Sequence, residues 1–499
     1  MRQTEVLVIG GGPAGLSASL EAASLGCQVT LVDSDLALGG QLIKQTHKFF
    51  GSKDERAGTR GFKISEILLE ELERYKDRVK VHMNCTATGF YREDGVVSCV
   101  IGEDEYFRIK PGKIVMATGA QERLLPFPNN HLPGVYGAGA VQTLMNVYGV
   151  APGKRVLMVG AGNIGLIVSY QLMQAGVEIA GIVEAMDRVG GYWVHAAKVR
   201  RMGVPIYLRH TIKEALGDRV VAGAVIQEID DRFQPVGKEI QIDVDIICMA
   251  VGLTPTCELL WQAGCEMVFV PQLCGHVAQP GLSERTTVPS IRNASRNTGD
   301  DLRTSGAARL VKRSARALNA ALSTNGGCDT LNEKERLFNS GVLVEPRKGA
   351  VEPPEDLWQN KKNGLVIIEC PQRIPCNPCH TSCPTGAVKP FKDINDQPEI
   401  DYEKCTGCAR CVAVCPGLAC FVVDLTWGDE DNALMKLPYE MLPVPEEGKT
   451  VDCLNRVGES ISRGKVVKVL EPMHDRTIVV HVEVPRSKVM EIRTIRVVK

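Results

Sequence analysis

The sequence predicts an α/β protein of several domains: two parallel-sheet units, a cysteine-rich module and a small β domain. Three observations carry this. Two glycine-rich strand–turn–helix–strand segments begin their turns at Gly10 and Gly160. Two cysteine runs, each closed by Cys-Pro, fall between Cys370 and Pro416. The last stretch, 426–499, consists mainly of short β-branched runs such as "RTIVVHVEV" and "KVVKVLE" with turn residues between them.

The length of 499 residues exceeds one hydrophobic core and suits roughly three or four domains. A hydrophobic content of 44% and a charged content of 23% are those of a soluble globular chain. The net charge of −1 gives no reason to expect nucleic acid or an anionic membrane as partner. No apolar run approaches the roughly 18 residues of a membrane span. The chain enters a strand at "TEVLVIGGG", which leaves no room for a signal peptide, so a cytoplasmic location is expected. Of 18 cysteines, nine crowd between Cys370 and Cys420 and the rest are single. Without an export signal the crowd reads as metal ligands rather than as a disulfide framework.

In "EVLVIGGGPAGLSASLEAASLGCQVTLVDSD", the run Val6–Ile9 is a buried strand. Gly10, Gly12 and Gly15 follow in the G-x-G-x-x-G spacing, with Pro13 and Ala14 opening a helix that Gly26 ends. A second strand delivers Asp33. The tight turn, the approach of a pyrophosphate and the close helix–strand contact account for the three glycines. The helix N-terminus attracts phosphate, and Asp33 accepts from a ribose hydroxyl. The segment "GKRVLMVGAGNIGLIVSYQLMQAGVEIAGIVEA" repeats the pattern with Gly160, Gly162, Asn163, Ile164 and Gly165, and its second strand ends at Glu184. Glu184 would repel a 2′-phosphate, which favours NAD(H) over NADP(H), although Arg188 nearby keeps the phosphorylated cofactor open.

"LALGGQL" (Leu36–Leu42) and "GKIVMATGAQE", with its Ala117-Thr118-Gly119, then follow the first unit. On these residues the chain resembles the two-dinucleotide-binding flavoprotein oxidoreductases, the group that contains thioredoxin reductase. The resemblance implies that Gly40, Gln41, Thr118 and Gly119 line an FAD. It also implies that "DIICMAVGLTPT", with Gly252, returns the chain to the flavin domain. The family's dithiol is missing: between Gly137 and Gly252 the only cysteine is Cys248. The stretch "RLLPFPNNHLPGVYGAGAVQTLMN" narrows the resemblance to the larger, NAD/FAD-type alpha subunit of dye-linked amino-acid dehydrogenase complexes of the proline, hydroxyproline, sarcosine and opine type, to which hydrogen cyanide synthase is related. One place departs from the flavoprotein pattern. From Thr286 to Arg296 the expected Asp that holds the flavin is replaced by Arg296, and Arg292 and Asn293 stand where strand residues are apolar. FAD held by other contacts, a retained nucleotide such as ATP or ADP, and local divergence all remain open for that stretch.

Cys405-x2-Cys408-x2-Cys411-x3-Cys415-Pro has the spacing of a two-cluster ferredoxin, in which three cysteines wrap one 4Fe–4S cluster and the fourth crosses to the other. A zinc site lacks this threefold repeat and the Cys-Pro ending. In the earlier copy, Cys383, Cys379 and Cys376 take the last three places, but the first place falls on Arg373. The nearest upstream cysteine is Cys370, so the first loop is lengthened. The expected ligand sets are Cys370, Cys376, Cys379 and Cys415 for cluster one, and Cys383, Cys405, Cys408 and Cys411 for cluster two. If Cys370 does not reach, cluster one has three thiolates and a 3Fe–4S cluster follows. Cys420 is read as strand packing and His380 as a loop residue.

The organisation expected is a split FAD-binding domain (1–135 and 258–335), an inserted NAD-binding domain (136–257), a linker (336–364), a ferredoxin-like 2×4Fe–4S module (365–425) and a small β domain (426–499). No arrangement for proton abstraction or nucleophilic attack is evident, so the catalytic residues are unknown. The expected function is an electron-transfer flavoprotein and iron–sulfur subunit of an amino-acid dehydrogenase, passing electrons between a separate FAD-containing amino-acid-oxidising partner, its clusters, FAD and NAD(H). Two alternatives stand beside it. One is a free-standing NAD(P)H–ferredoxin oxidoreductase or glutamate-synthase-like small chain. The other is a wiring or assembly subunit with a degenerate flavin site.

Overall fold

The computed structural model describes residues 1–270, 275–278, 291–293 (backbone), 333–344, 353–470 and 477–498. Arg296 and the basic stretch "SGAARLVKRSARALNAAL" lie outside the described residues. The chain divides into two compact units. The first comprises Met1–Thr46, Arg60–Arg123 and Gly252–Leu322; the second comprises His47–Thr59, Leu124–Val251 and Ser323–Lys499.

In the first unit, β1 (Arg2–Ile9) runs parallel between β2 (Val29–Val32) and β6 (Glu105–Met116). β3 (Val79–His82) extends the sheet beyond β2, and the antiparallel pair β4 (Cys85–Tyr91) and β5 (Val96–Ile101) extends it beyond β6. Val6 to Ile9 pair in register with Val29 to Val32, so both strands end level, where the glycine loop and Asp33 emerge. Helix α1 (Pro13–Ser24) packs Leu16 and Ala23 against these strands. Its Pro13 sits at the first turn, where a missing N–H costs nothing. Helix α2 (Gly61–Glu73) buries Ile64, Leu68 and Leu72 at helical spacing. Short strands β7 (Ala120–Glu122) and β16 (Leu253–Pro255) pair antiparallel, as do β17 (Met267–Val270) and β18 (Gly275–Ala278), flanking helix Glu258–Gln262. Strand β19 (Ile291–Asn293) lies parallel to Ile114–Met116 of β6, so the segment carrying Arg292 and Asn293 forms a strand despite its polarity.

In the second unit, a parallel sheet has the order β11 (Ile206–Leu208), β10 (Glu178–Glu184), β9 (Arg155–Val159), β15 (Ile246–Met249), β8 (Val135–Gly137). Helices α3 (Ala138–Asn146), α4 (Asn163–Gln174) and α5 (Trp193–Arg200) belong to this layer, and a three-stranded meander of β12 (His210–Leu216), β13 (Gly223–Ile229) and β14 (Pro235–Ile242) is inserted before β15. The glycine loop again opens at the end of the central strand. With the cysteine module this gives the predicted α/β class with two dinucleotide-binding folds.

The rest of the second unit is one seven-stranded antiparallel sheet, in the order β20 (Leu365–Ile368), β21 (Cys420–Asp424), β22 (Asn432–Tyr439), β25 (Ile478–Pro485), β24 (Ser460–Leu470), β23 (Thr450–Leu454), β26 (Thr494–Val497). The strands that bracket the cysteine runs and those of the tail share this sheet. Val422 to Asp424 of β21 pair with Leu434 to Lys436 of β22, across the boundary expected at 425/426. The segment read as a linker is also built in over its described part. Helix Glu355–Asn360 buries Trp358, whose indole N–H donates to the Val423 carbonyl at 3.1 Å.

Candidate cofactor sites

The two glycine loops share the same turn. Gly10 and Gly160 have φ near +107° (+106° and +107°), a region L side chains avoid, and a Cβ on either would enter the carbonyl of Ala117 or Ala250 on the neighbouring strand. Each loop ends in an extended N-cap, Gly12 or Gly162, followed by a helix of 12 residues whose first-turn N–H groups have no partner within the helix. Pro13, Ala14 and Gly15 open α1, and Asn163, Ile164 and Gly165 open α4. The acid that ends each second strand closes the loop from the other side. Asp33 accepts from the N–H groups of Gly11 and Asp35, and Glu184 accepts from those of Ala161 (2.8 Å) and Met186 (3.0 Å). Burial pushes the Glu184 carboxyl up against these N–H bonds, which a ribose hydroxyl donating to it would relieve. A cradle of free helical N–H groups with an acid at its rim suits a dinucleotide in both places.

Gly39 donates to the Gly11 carbonyl at 2.8 Å, and a Cβ on Gly40 would lie 2.8 Å from the Gly12 Cα. This Gly-Gly-Gln segment lies along the first loop, with Gln41 exposed. Thr118 donates its hydroxyl to the Thr256 carbonyl at 2.7 Å; Gly119 at φ +71° meets nothing within 4 Å of an added Cβ, and Gly252 accepts from the Arg123 N–H. The second loop has a segment of the same kind, which the motif reading missed. Gly190-Gly191 stand six and seven residues after Glu184, as Gly39-Gly40 do after Asp33. Gly191 donates to the Ala161 carbonyl at 3.0 Å, a Cβ on it would lie 2.8 Å from the Asn163 nitrogen, and Asn163 Oδ1 accepts from the Tyr192 N–H at 2.7 Å. The equal spacing was the available signal.

Tyr192 and Trp193 lead directly to the cysteines. Together with Val194, Ala197, Ile374 and Ala419 they form a small core against which Cys370, Cys376 and Cys415 pack. Gln372, inside the lengthened Cys370–Cys376 loop, accepts from the Trp193 N–H at 2.7 Å. The added residues of the irregular first run thus attach it to the second nucleotide-binding sheet. Arg373, which occupies the regular ligand place, is exposed and pairs with Asp396 at 3.2 Å.

The structure brings cysteines of each expected ligand set near one another. Burial raises the thiols of Cys370 (to about 12), Cys376 and Cys379, and Cys415 raises each further, so Cys415 lies near all three; Cys411 of the other run also faces Cys379. Cys383, Cys405, Cys408 and Cys411 line one small recess together with Thr385 and Gly407. Among the described residues no three His, Cys, Asp or Glu side chains converge as ligands of one metal ion do. The spacing of the runs, three cysteines close together and a fourth before Pro, suits a cluster better than a single zinc. Cys420, at the start of β21, is buried beside Cys411 and Cys415. Ala419 N–H donates to the Cys415 sulfur at 3.4 Å. His380 bonds the Val388 carbonyl at 2.8 Å through Nδ1.

This is the arrangement of a dinucleotide-binding oxidoreductase carrying a ferredoxin-type module. The comparisons agree. Residues 4–271 match the pyridine nucleotide-disulphide oxidoreductase family and 372–419 match the 4Fe–4S dicluster domain. The first match spans more than half of the chain, and the chain belongs to the pyridine nucleotide-disulphide oxidoreductase family. It is an FAD-dependent oxidoreductase, and the two matches imply binding of FAD and a pyridine nucleotide beside iron–sulfur clusters. The chain is 30% identical over 289 residues to the alpha subunit of sarcosine oxidase from Rhizobium meliloti (strain 1021), covering 56% of this chain and 27% of the relative. It is 26% identical over 278 residues to an opine oxidase subunit of Agrobacterium tumefaciens (strain Ach5), covering 53% and 55%. It is 25% identical over 282 residues to the HcnB subunit of hydrogen cyanide synthase from Pseudomonas protegens, covering 53% and 59%. The chain thus spans between about a quarter and three fifths of these relatives. Among the described residues no helix is long and apolar enough to cross a membrane.

Proposed function

We propose that the chain is an electron-transferring subunit of an amino-acid dehydrogenase or oxidase, working with a separate flavin-containing subunit that oxidises the amino acid. The relatives named as subunits of sarcosine oxidase, opine oxidase and hydrogen cyanide synthase support the setting. The observation that carries the reading is the packing of Cys370, Cys376 and Cys415 against Tyr192 and Trp193, immediately beside the glycine loop of the second nucleotide site. A nucleotide site and a one-electron centre placed side by side suit relay rather than substrate chemistry.

In this proposal Gly10 to Gly15, Asp33, Gly40, Gln41, Thr118, Gly119 and Gly252 hold FAD. Gly160 to Gly165 and Glu184 hold NAD(H), and the two cysteine sets hold two 4Fe–4S clusters. Bound there, the flavin and nicotinamide supply hydride exchange and the clusters supply single-electron transfer. The chain's own task is to bind and orient: the helix N-termini neutralise the pyrophosphates, Asp33 and Glu184 fix the ribose ends, and Tyr192, Trp193, Phe50 and Ile374 keep water from the Cys370 side. A cytoplasmic location belongs to the same reading, since cluster cysteines need a reducing compartment.

The test is purification of the chain with its co-purifying subunits under anaerobic conditions, with iron and flavin counted and NADH added. Flavin, about eight irons per chain on the two-cluster reading, and reduction of either centre by NADH are expected. A preparation with full iron and flavin that neither reduces nor oxidises a nicotinamide would sink the proposal.

A further inference from the structure

The structure places a buried cation against each cysteine set in the same way. In the second set, Lys436 is 8% exposed, and its ammonium donates to the carbonyl of Gly407, between Cys405 and Cys408, at 2.7 Å and to that of Asn363 at 3.0 Å. In the first set, Arg201 is 5% exposed and donates through Nη1 to the carbonyl of Leu418, between Cys415 and Cys420, at 3.0 Å. Lys198, one turn earlier on α5 and 4% exposed, lies with its ammonium 4.3 Å from the Tyr170 ring centroid and shares a cavity with Arg201 and Arg493. Other charges facing this region are Lys48, which donates to the Ala413 carbonyl and neighbours Glu440, and the Glu369–Arg493–Arg456 group beside Cys370. Helix α5 thus carries Trp193 and Val194 to the first cysteine set, and Arg201, which caps its C-terminus, reaches the loop that follows Cys415.

Burial of an ammonium is costly, and it persists only where an opposite charge or good acceptors compensate. Glu369 is taken up by Arg493 and Arg456, at 2.5 to 3.1 Å. Burial lowers Lys198 to about 8, still protonated at neutral pH, and Glu440 and a charged Cys415 oppose that shift. Burial lowers Arg201 too, opposed by Glu369 and Cys415. Around the second set, burial lowers Lys436, opposed by Asp424, Cys408 and Cys405. A 4Fe–4S centre with four thiolates is an anion, and reduction adds one more negative charge with no proton. A fixed cation at low dielectric therefore stabilises the reduced form more than the oxidised one.

We infer that Arg201 sets the reduction potential of the cluster held by Cys370, Cys376, Cys379 and Cys415, while Lys436 sets that of the cluster held by Cys383, Cys405, Cys408 and Cys411. The inference rests on the ligand sets proposed above. It gives these cations a tuning role apart from ligation, and it assigns one to each centre.

The test is an anaerobic dithionite titration of the whole protein, followed by EPR and visible absorbance, with iron counted first. Arg201→Met is expected to move one reduction wave to lower potential and leave the other in place. Lys436→Met is expected to move the other wave instead. Arg201→Lys and Lys436→Arg keep the charge and are expected to titrate as the native protein. Native iron content with unmoved waves in both Met variants overturns the inference while leaving the ligand sets standing. Equal shifts in the Met and charge-keeping variants overturn it as well, since they trace the change to packing. Where a Met variant loses iron, Arg201→Gln or Lys436→Gln carries the same expectation. A native chain without iron fails the ligand sets themselves.

Discussion

Glu369 is the most heavily engaged single side chain near the cysteines. It is 4% exposed and bound by Arg456 and Arg493. Burial alone would raise its carboxyl, but the two guanidinium groups hold it down to about 2, against an ordinary 4.5. A carboxyl with a depressed folded pKa stabilises the fold fully above its ordinary value, and that stability is lost as pH falls from 4.5 towards 2. Glu369→Gln is expected to flatten this acid slope in denaturation experiments and to cost on the order of 3 kcal/mol at neutral pH, because it strands two buried cations. An unchanged slope would show that Glu369 is not ionised in the fold. The neighbouring residue gives a second expectation. Cys370→Ser should release about one cluster's iron, or leave a 3Fe–4S signal, since its thiol lies with Cys376, Cys379 and Cys415. Full iron with an unchanged spectrum would remove Cys370 from the ligand set.

At the level of elements, the glycine loops were legible in the sequence because everything they need is local: strand, turn, helix start and acid lie within about 25 residues, close to the span of a βαβ unit. The cysteine runs were legible for the same reason. Gly190-Gly191 was equally local but carries no named pattern, and only the matching distance from the acid exposes it. The Trp193–Gln372 bond was not legible, because it joins residues 179 apart and depends on how a helix start meets a loop. The same holds for Lys436 on Gly407 and Arg201 on Leu418. The Gly190-Gly191 segment yields a prediction at this scale. Gly191→Val forces a side chain onto the Gly162 backbone and the Asn163 nitrogen, so NADH binding by calorimetry should weaken by about tenfold or more, worth some 1.4 kcal/mol, with flavin content unchanged. Unaltered NADH affinity would mean that the nucleotide does not use this loop.

Across the whole molecule, the sequence divided the C-terminal region at 425/426 by a change in residue pattern, yet hydrogen bonding crosses that point. A β-branched run declares that it is a strand but not which strand it joins. Lys436 shows the outcome, being a residue of the tail whose ammonium serves the cysteine loop. Removal of 426–499 should therefore leave β21 as an unpaired edge and strip Ala433, Met435 and Leu437 from a core that also contains Cys405, Cys411 and Val422. The truncated chain is expected to purify without iron and to be cut rapidly by trypsin within 365–425. Retention of both clusters would show the cysteine module to be self-sufficient.

Residues His47–Thr59 interrupt the first unit and belong to the second. Lys48 reaches the carbonyl of Ala413 and the hydroxyl of Thr477, Gly51 accepts from the Asn377 N–H at 3.1 Å, and Phe50 stacks edge-on with Tyr192 and His195. For anyone wishing to transplant parts, this means that the seam does not follow the order of the chain. No single scission parts the two units, since a piece that holds all of the first also carries His47–Thr59 and Leu124–Val251, which belong to the second. A working chimera would have to exchange that excursion together with the cysteine region.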